Sequence, residues 1–295
     1  MIGRVLLLGL GEVGAVLAQD LDPGYRVELV TWDRLLDDPS SKPVQHLLRN
    51  KRLCAATSAM TAAQNCDLVI SAVTAGQNIA AAESVLPGLA PGCLFLDLNS
   101  VSPATKRQMA ELVETAGGRY IEAAVLSPIE PERLGAPIVL GGEHAEVFIP
   151  QAVRLGFSGM RFVSREIGRA AATKMCRSVI IKGMEALLSE ALLSARHFGV
   201  EREVLASLDN LFPRDDWPQH AYYMISRTLE HGTRRAEEMC EVARTVAEAG
   251  LRPLMSEACE QRQTWASQFA DALARPRLDE LLDHINASIR RQNHH

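Results

Sequence analysis

The amino-acid sequence predicts an α/β domain with a mostly parallel sheet, followed by an all-α domain. Three observations support this. From residue 2 to about 163, short apolar runs alternate with longer amphipathic ones, the pattern of βαβ units. A glycine triplet with G-x-G-x-x-G spacing follows the first apolar run directly. After Ser164 no run reads as a strand, and the apolar residues recur with helical periodicity. The boundary is therefore placed at 165, giving domains 1–165 and 166–295.

Strands are predicted at 4–8, 26–31, 68–73, 94–98, 119–125, 138–140 and 161–163, with helices between most of them. Turn residues such as Asp22-Pro23-Gly24 and Pro91-Gly92 punctuate their ends. One long helix is predicted over 166–197, rich in Ala, Leu, Ile and Met. Further helices fit 201–211, 217–231, 233–249, 253–269 and 278–290. No internal repeat is present.

With 295 residues, each domain has room for its own core. Apolar residues at 47% and charged residues at 23% are ordinary for a globular chain and exclude a disordered or fibrous one. Lys and Arg number 31 against 36 Asp and Glu, a net charge of -5, which argues against nucleic acid as a partner. Arg4, Glu12 and Asp20 interrupt the most apolar stretch, so no run approaches the ~18 residues of a membrane span. Residues 1–18 share an early positive charge and small residues with secretory leaders, but such a leader has no use for three spaced glycines or for Glu12. Six cysteines without a C-x-x-C pair indicate neither a zinc site nor a redox motif, and the simplest location is the reducing cytoplasm.

Gly9, Leu10, Gly11, Glu12, Val13 and Gly14 form the candidate cofactor loop. Gly9 permits the tight turn, Gly11 lets a pyrophosphate approach the backbone, and Gly14 lets the helix pack closely on the sheet. The helix then offers free N–H groups and a positive dipole end. Asp33 ends the second strand nineteen residues past Gly14, where an acid holds the adenosine ribose hydroxyls. This order of features predicts a Rossmann domain that binds NAD or NADP. Asp33 favours NAD because a carboxylate repels a 2′-phosphate; Arg34 can pair with that phosphate or lie solvated on the surface. Val73 and Thr74, at the end of a further strand, are expected to line the cofactor ribose.

From these residues outward the sequence resembles the β-hydroxyacid dehydrogenase superfamily, which contains 3-hydroxyisobutyrate and 6-phosphogluconate dehydrogenases. Leu8 to Gly14 resembles the opening motif of that family. Asp97-Leu98-Asn99-Ser100 with Pro103 is similar to its D-x-S-[ST]-x-x-P segment, and Gly168 to Lys174 to the stretch carrying the catalytic lysine on an interdomain helix. Glu248 to Leu254 resembles E-x-G-x-x-x-P-L, and His231 to Met239 resembles a subgroup with a distinct C-terminal domain labelled only 6-phosphogluconate dehydrogenase-like. Three departures stand out. Leu126-Ser127-Pro128 replaces a Ser-Gly-Gly loop that binds the substrate carboxylate, Arg177 and Ser178 stand where two asparagines are usual, and Glu237-Glu238-Met239 replaces Lys-Asp-Leu.

The resemblance makes Lys174 the candidate acid/base for hydride transfer between nicotinamide and a hydroxy acid or related polar alcohol. By helical arithmetic Lys174, Arg177, Ser178 and Ile181 share one face, and Arg177 is expected to lower the proton affinity of Lys174. Arg177 could clamp a substrate carboxylate or phosphate, or form a salt bridge. Ser178 could bind the substrate hydroxyl or bond back to a helix carbonyl. Lys182 is read as structural. Ser100 is expected to touch nicotinamide or substrate, or else to cap the helix near Pro103, and Asn99 beside it is expected to contact the cofactor. Ser127 remains a candidate substrate contact. His231, Arg234, Arg235 and Glu238 share a stripe if Gly232 does not break the helix, so that Arg234 could hold the far end of an acidic substrate. His197, His220, His294 and His295 show no ligand spacing, and no metal site is expected.

An imine reductase-like enzyme and a non-catalytic dinucleotide-binding sensor or assembly protein are the alternatives; the latter gives no role to Lys174. Apolar side chains around much of the long helix, at Val179-Ile180-Ile181, Leu187-Leu188 and Leu192-Leu193, predict a homodimer through the helical half.

Overall fold

The computed structural model describes residues 2–22, 24, 26–208 and 212–292. Its first apolar run is strand β1 (Arg4–Leu8), followed by helix α1 (Glu12–Asp20). There follow β2 (Glu28–Trp32), α2 (Lys42–Arg49), β3 (Leu53–Ala55), α3 (Ala59–Ala63), β4 (Leu68–Ser71), α4 (Asn78–Val85), β5 (Leu94–Asp97), α5 (Pro103–Thr115) and β6 (Arg119–Val125). The sheet is completed by β7 (Ile138–Gly141), α6 (Ala145–Arg154) and β8 (Met160–Ser164). The strand order is β3-β2-β1-β4-β5-β6-β7-β8, parallel except for the antiparallel pair β6 and β7.

Side-chain alternation along β1 explains the three layers. Val5 and Leu7 join a core cluster with Val16 and Leu17 of α1 and Phe148 of α6. Leu6 and Leu8 join the opposite cluster with Ala62 of α3, Val85 of α4 and Met109 of α5. A strand covered on both faces reads as a continuous apolar run, as β1, β4 and β5 do.

The remaining helices are α7 (Arg169–Phe198), α8 (Glu201–Ser207), α9 (Trp217–Glu248), α10 (Leu254–Ala266) and α11 (Leu278–Gln292). The chain divides into two compact units, Met1–Met175 and Cys176–His295, and the division falls inside α7. Within the second unit Leu192, Trp217, Ile225, Phe269 and Leu281 are among the residues forming a separate core. No described helix is long and apolar enough to cross a membrane.

Several expectations are corrected in detail. The long helix starts at Arg169 rather than 166, because Gly168 takes a φ of +102° that no helix accommodates. Predicted helices 217–231 and 233–249 are one helix, α9. Gly232 does not break it: a Cβ there would lie 2.5 Å from the Gln263 carbonyl oxygen, so the glycine marks the close approach of α10. Strand β3 is only three residues long, too short for a periodicity signal. β4 stops at Ser71, which leaves Val73 and Thr74 in the loop beyond it. The end of predicted helix 201–211, along with His294 and His295, lies outside the described residues.

Candidate active site

The strand order reverses between β1 and β4, and open α/β sheets bind ligands beyond the carboxyl ends of strands at such a point. Gly9 there has a φ of +95°, and a Cβ on it would lie 2.6 Å from the Ala72 carbonyl oxygen. A Cβ on Gly14 would meet the Gly9 carbonyl oxygen at 2.1 Å, so α1 presses its first turn onto the loop. Gly11 differs. It is the N-cap of α1 with no side-chain cap, and a Cβ on it would meet nothing within 4 Å. The first N–H groups of α1 thus keep an open approach, which fits a diphosphate. The side chain of Leu10 is buried in the core and its backbone carbonyl oxygen lies 2.9 Å from His46 Nδ1, so Leu10 shapes the loop rather than offering a free group. Val13 packs against the same core and Glu12 is exposed.

Just after β2, Asp33 is fixed by two backbone donors. The Leu10 N–H donates to Oδ2 at 2.8 Å and the Leu35 N–H to Oδ1 at 2.9 Å, which sets the carboxylate beside the glycine loop. Arg34 is exposed, and its Nη1 donates to Gln77 Oε1 at 3.1 Å. Gln77 closes the short turn that follows Thr74.

Asn99 proves to be a brace. Its Oδ1 accepts the Val73 N–H at 2.6 Å, while its Nδ2 donates to Ser71 Oγ at 2.9 Å and Asn78 Oδ1 at 2.8 Å. The side chain ties the ends of β4 and β5 to α4 and holds the Val73 backbone. Its neighbour Ser100 points elsewhere: Lys174 Nζ donates to Ser100 Oγ at 2.5 Å. The cap of α5 is Ser102, whose Oγ accepts the Thr105 N–H, so Ser100 is not needed as a cap. Lys174 and Ser100, 74 residues apart, thus meet beyond the end of β5. Ser127, half-buried after β6, donates its hydroxyl to the Pro128 carbonyl oxygen at 2.9 Å.

Beneath this pair lies a buried charged layer that sequence reasoning missed. Lys106 of α5 is ion-paired with Asp97 at 3.1 Å and donates to the carbonyl oxygens of Asp97 and Ala123. Asp97 also accepts the Tyr120 hydroxyl at 2.7 Å and the Asn99 N–H at 2.9 Å. In β6, alongside Asp97, the fully buried Glu122 accepts the Gly168 N–H at 2.7 Å and the Ala171 N–H at 2.6 Å. Burial pushes the Glu122 carboxyl up, opposed by Lys106 and by those two N–H groups. Burial likewise pushes the Tyr120 phenol up. Two signals were present in the sequence: Glu122 interrupts the apolar run Ile121 to Val125, and Lys106 shares a helical stripe with the core residues Met109, Ala110 and Val113.

Further along α7 the expected shared face divides. Arg177 is exposed and, among the described residues, forms no ion pair, whereas Ser178 is buried and accepts from Lys182 Nζ at 3.4 Å. Lys182 is buried and paired with Glu238 of α9 at 2.7 Å; burial pushes its ammonium down and Glu238 opposes this. Glu238 also pairs with Arg234 at 3.0 Å, and Arg235 pairs with Glu185 of α7. His231 lies 3.3 Å from Glu230. All four residues of the α9 stripe therefore have charged partners within the helical unit. Among the described residues, no three His, Cys, Asp or Glu side chains gather as metal ligands.

Comparison with known proteins agrees with this geometry. Residues 4–150 match the NAD binding domain of 6-phosphogluconate dehydrogenase, and residues 195–266 match a domain of unknown function, DUF1932. A conserved hypothetical protein from Sinorhizobium meliloti is 32% identical, with 96% of this chain and 97% of that one covered at a TM-score of 0.73. A second conserved protein of unknown function, described as structurally similar to 3-hydroxyacid dehydrogenases, is 30% identical over 90% of this chain and 97% of its own, with a TM-score of 0.69. The 3-hydroxyisobutyrate dehydrogenase of Pseudomonas aeruginosa is 25% identical over 224 residues, 74% of this chain and 72% of its own. With its NAD(P)-binding glycine loop and its C-terminal DUF1932 domain, the chain belongs to the β-hydroxyacid dehydrogenase superfamily.

Proposed function

We propose that this protein is an NAD(P)-dependent oxidoreductase that interconverts a hydroxy acid, or a related acidic or polar alcohol, and its carbonyl form, with Lys174 as the general acid/base. The observation that carries the reading is the Lys174 Nζ to Ser100 Oγ hydrogen bond of 2.5 Å beyond the carboxyl end of β5. A bound nicotinamide supplies the two-electron hydride acceptor or donor. Lys174, as the neutral amine, takes the hydroxyl proton of the alcohol onto Nζ and becomes an ammonium; in the reverse direction the ammonium returns that proton to the forming alkoxide. Ser100 orients Nζ by accepting from it, and its own hydroxyl hydrogen is then free to donate towards the substrate oxygen. Asn99 contributes by holding the Val73 backbone.

Asp33 beside the glycine loop supports NAD as the preferred cofactor, and exposed Arg34 keeps NADP as the alternative. Arg177, exposed on the same helix as Lys174, suits the anionic end of an acidic substrate, the duty left open by Leu126-Ser127-Pro128. Ile180 and Leu187 of α7 are 64% and 60% exposed, while Ser178, Lys182, Glu185 and Ser189 of the same helix are buried. This inversion supports a homodimer that covers the apolar side of α7, which light scattering would register as twice the chain mass. Six cysteines without a disulfide fit a cytoplasmic protein.

The test is to follow nicotinamide absorbance with NAD and NADP against a panel of hydroxy acids, polar alcohols, keto acids and aldehydes. At least one acidic or polar member should turn over with wild-type protein, and Lys174→Ala should lower kcat by about 10²–10⁴-fold with cofactor affinity retained.

A further inference from the structure

We propose that Glu122 is a positioning residue for Lys174, setting where the amine stands by clamping the first turn of α7 to the sheet; the proposal rests on the reading of Lys174 as the acid/base. A helix begins with N–H groups that have no partner within the helix, and a side chain close by in sequence usually satisfies one of them. Here the acceptor comes from strand β6, 46 and 49 residues away. Glu122 Oε2 takes the Gly168 N–H and Oε1 takes the Ala171 N–H, so both carboxylate oxygens are engaged by one helical turn. Lys174 follows Ala171 by three residues, less than one turn later.

The clamp is built rather than incidental. Glu122 is fully buried, and a Cβ on Gly141 of neighbouring β7 would lie 2.6 Å from its Oε2, so glycine at 141 leaves the room that the carboxylate occupies. Gly168 takes its φ of +102° where its N–H meets Glu122. Burial disfavours the charge on this carboxylate, and Lys106 from α5 acts against that penalty. The same lysine holds Asp97, whose other oxygen fixes the Asn99 N–H next to Ser100. Both members of the Lys174 and Ser100 pair are thereby referred to one buried layer, Lys174 through Glu122 and Ser100 through Asp97.

Glu122→Gln tests this, since the amide keeps the shape but turns one oxygen into a donor facing an N–H group. Three readouts are needed: amide hydrogen exchange across 168–174, NADH and NADPH affinity by calorimetry, and kcat with KM on the best substrate found. The expected result is a folded protein with cofactor affinity within about two-fold of wild type, and faster exchange at Gly168 and Ala171 than in wild type. KM should change little and kcat should fall about 10- to 100-fold, the cost of a misplaced catalytic group. Glu122→Asp, which keeps the charge but is one methylene shorter, should restore part of kcat. A folded Gln variant with wild-type exchange and wild-type kcat overturns the proposal, as does failure of both variants to fold, which would make Glu122 a residue of the fold alone. Should Lys174→Ala keep wild-type activity, the acid/base reading fails, while the exchange result still reports separately on the clamp.

Discussion

Substitutions at two glycines of the same loop should act on different properties. Gly11 has a φ of -75°, which any residue adopts, and open space where a Cβ would point. Gly11→Val should therefore change stability by no more than about 1 kcal/mol, the cost of a poorer N-cap without a packing penalty. The new side chain stands where a diphosphate must approach the first N–H groups of α1. NAD(P) affinity should fall at least about 100-fold, or about 2.8 kcal/mol at 1.4 kcal/mol per factor of ten. Gly14→Ala has the opposite profile. Its Cβ would sit 2.1 Å from the Gly9 carbonyl oxygen, far inside contact distance, so α1 must move off the sheet. Overpacking of this kind costs roughly 1–3 kcal/mol, which lowers Tm by several degrees. Thermal denaturation and calorimetric titration with NADH and NADPH measure both effects. Gly11→Val binding cofactor as tightly as wild type, or Gly14→Ala melting with wild type, would refute the reasoning.

Other variants test other parts of the molecule. Asp33→Ser should shift selectivity from NAD towards NADP, because it removes the carboxylate that repels a 2′-phosphate and leaves Arg34 beside it; unchanged ratios of kcat/KM would count against Asp33 at the ribose. Gly232→Ala should lower Tm by the equivalent of roughly 1–3 kcal/mol by forcing α9 away from the Gln263 carbonyl at 2.5 Å, and a wild-type Tm would contradict the close crossing. The pH dependence of stability should carry a signature of Glu122. Its carboxyl is pushed above the ordinary 4.5 by burial, with Lys106, the Gly168 and Ala171 N–H groups, Asp97 and Tyr120 around it. The folded state then binds a proton that the unfolded state has already released. This contribution to stability is present below the ordinary value and is lost as pH rises through the raised one. Relative to wild type, Glu122→Gln should gain in Tm across that interval, and a pH-independent difference would contradict the assignment.

What the sequence made legible follows from the range of the interactions. The glycine loop, Asp33 and the strand-helix alternation are local, each governed by residues within one βαβ unit, and they lie where expected. Lys174 could be picked out only by resemblance, because its partner Ser100 is 74 residues away and no spacing rule joins them. Glu122 and Lys106 were hidden for the same reason, and Asp97 was visible only as part of a motif: three charged residues on three elements become a buried layer only once β5 and β6 pair and α5 packs over them. Gly232 misled because a glycine within a helical pattern reads equally as a break or as a crossing, and only the carbonyl of α10 decides. Arg177 and Ser178 differ in burial because Ser178 belongs to a buried stripe of α7 with Lys182, Glu185 and Ser189, while Arg177 at its edge is exposed, and helical spacing alone does not say where such a stripe ends.

The central claim is that Lys174 moves the proton that accompanies hydride transfer, and chemical rescue tests it most directly. With an acidic or polar alcohol from the panel and saturating NAD or NADP, Lys174→Ala should lose about 10²–10⁴-fold in kcat while binding cofactor as wild type does. Small primary amines added to the solution should restore part of that rate in proportion to their concentration. A Lys174→Ala variant that turns over within a few-fold of wild type would contradict the account, as would wild-type protein that binds NAD(P) yet oxidises or reduces no member of the panel.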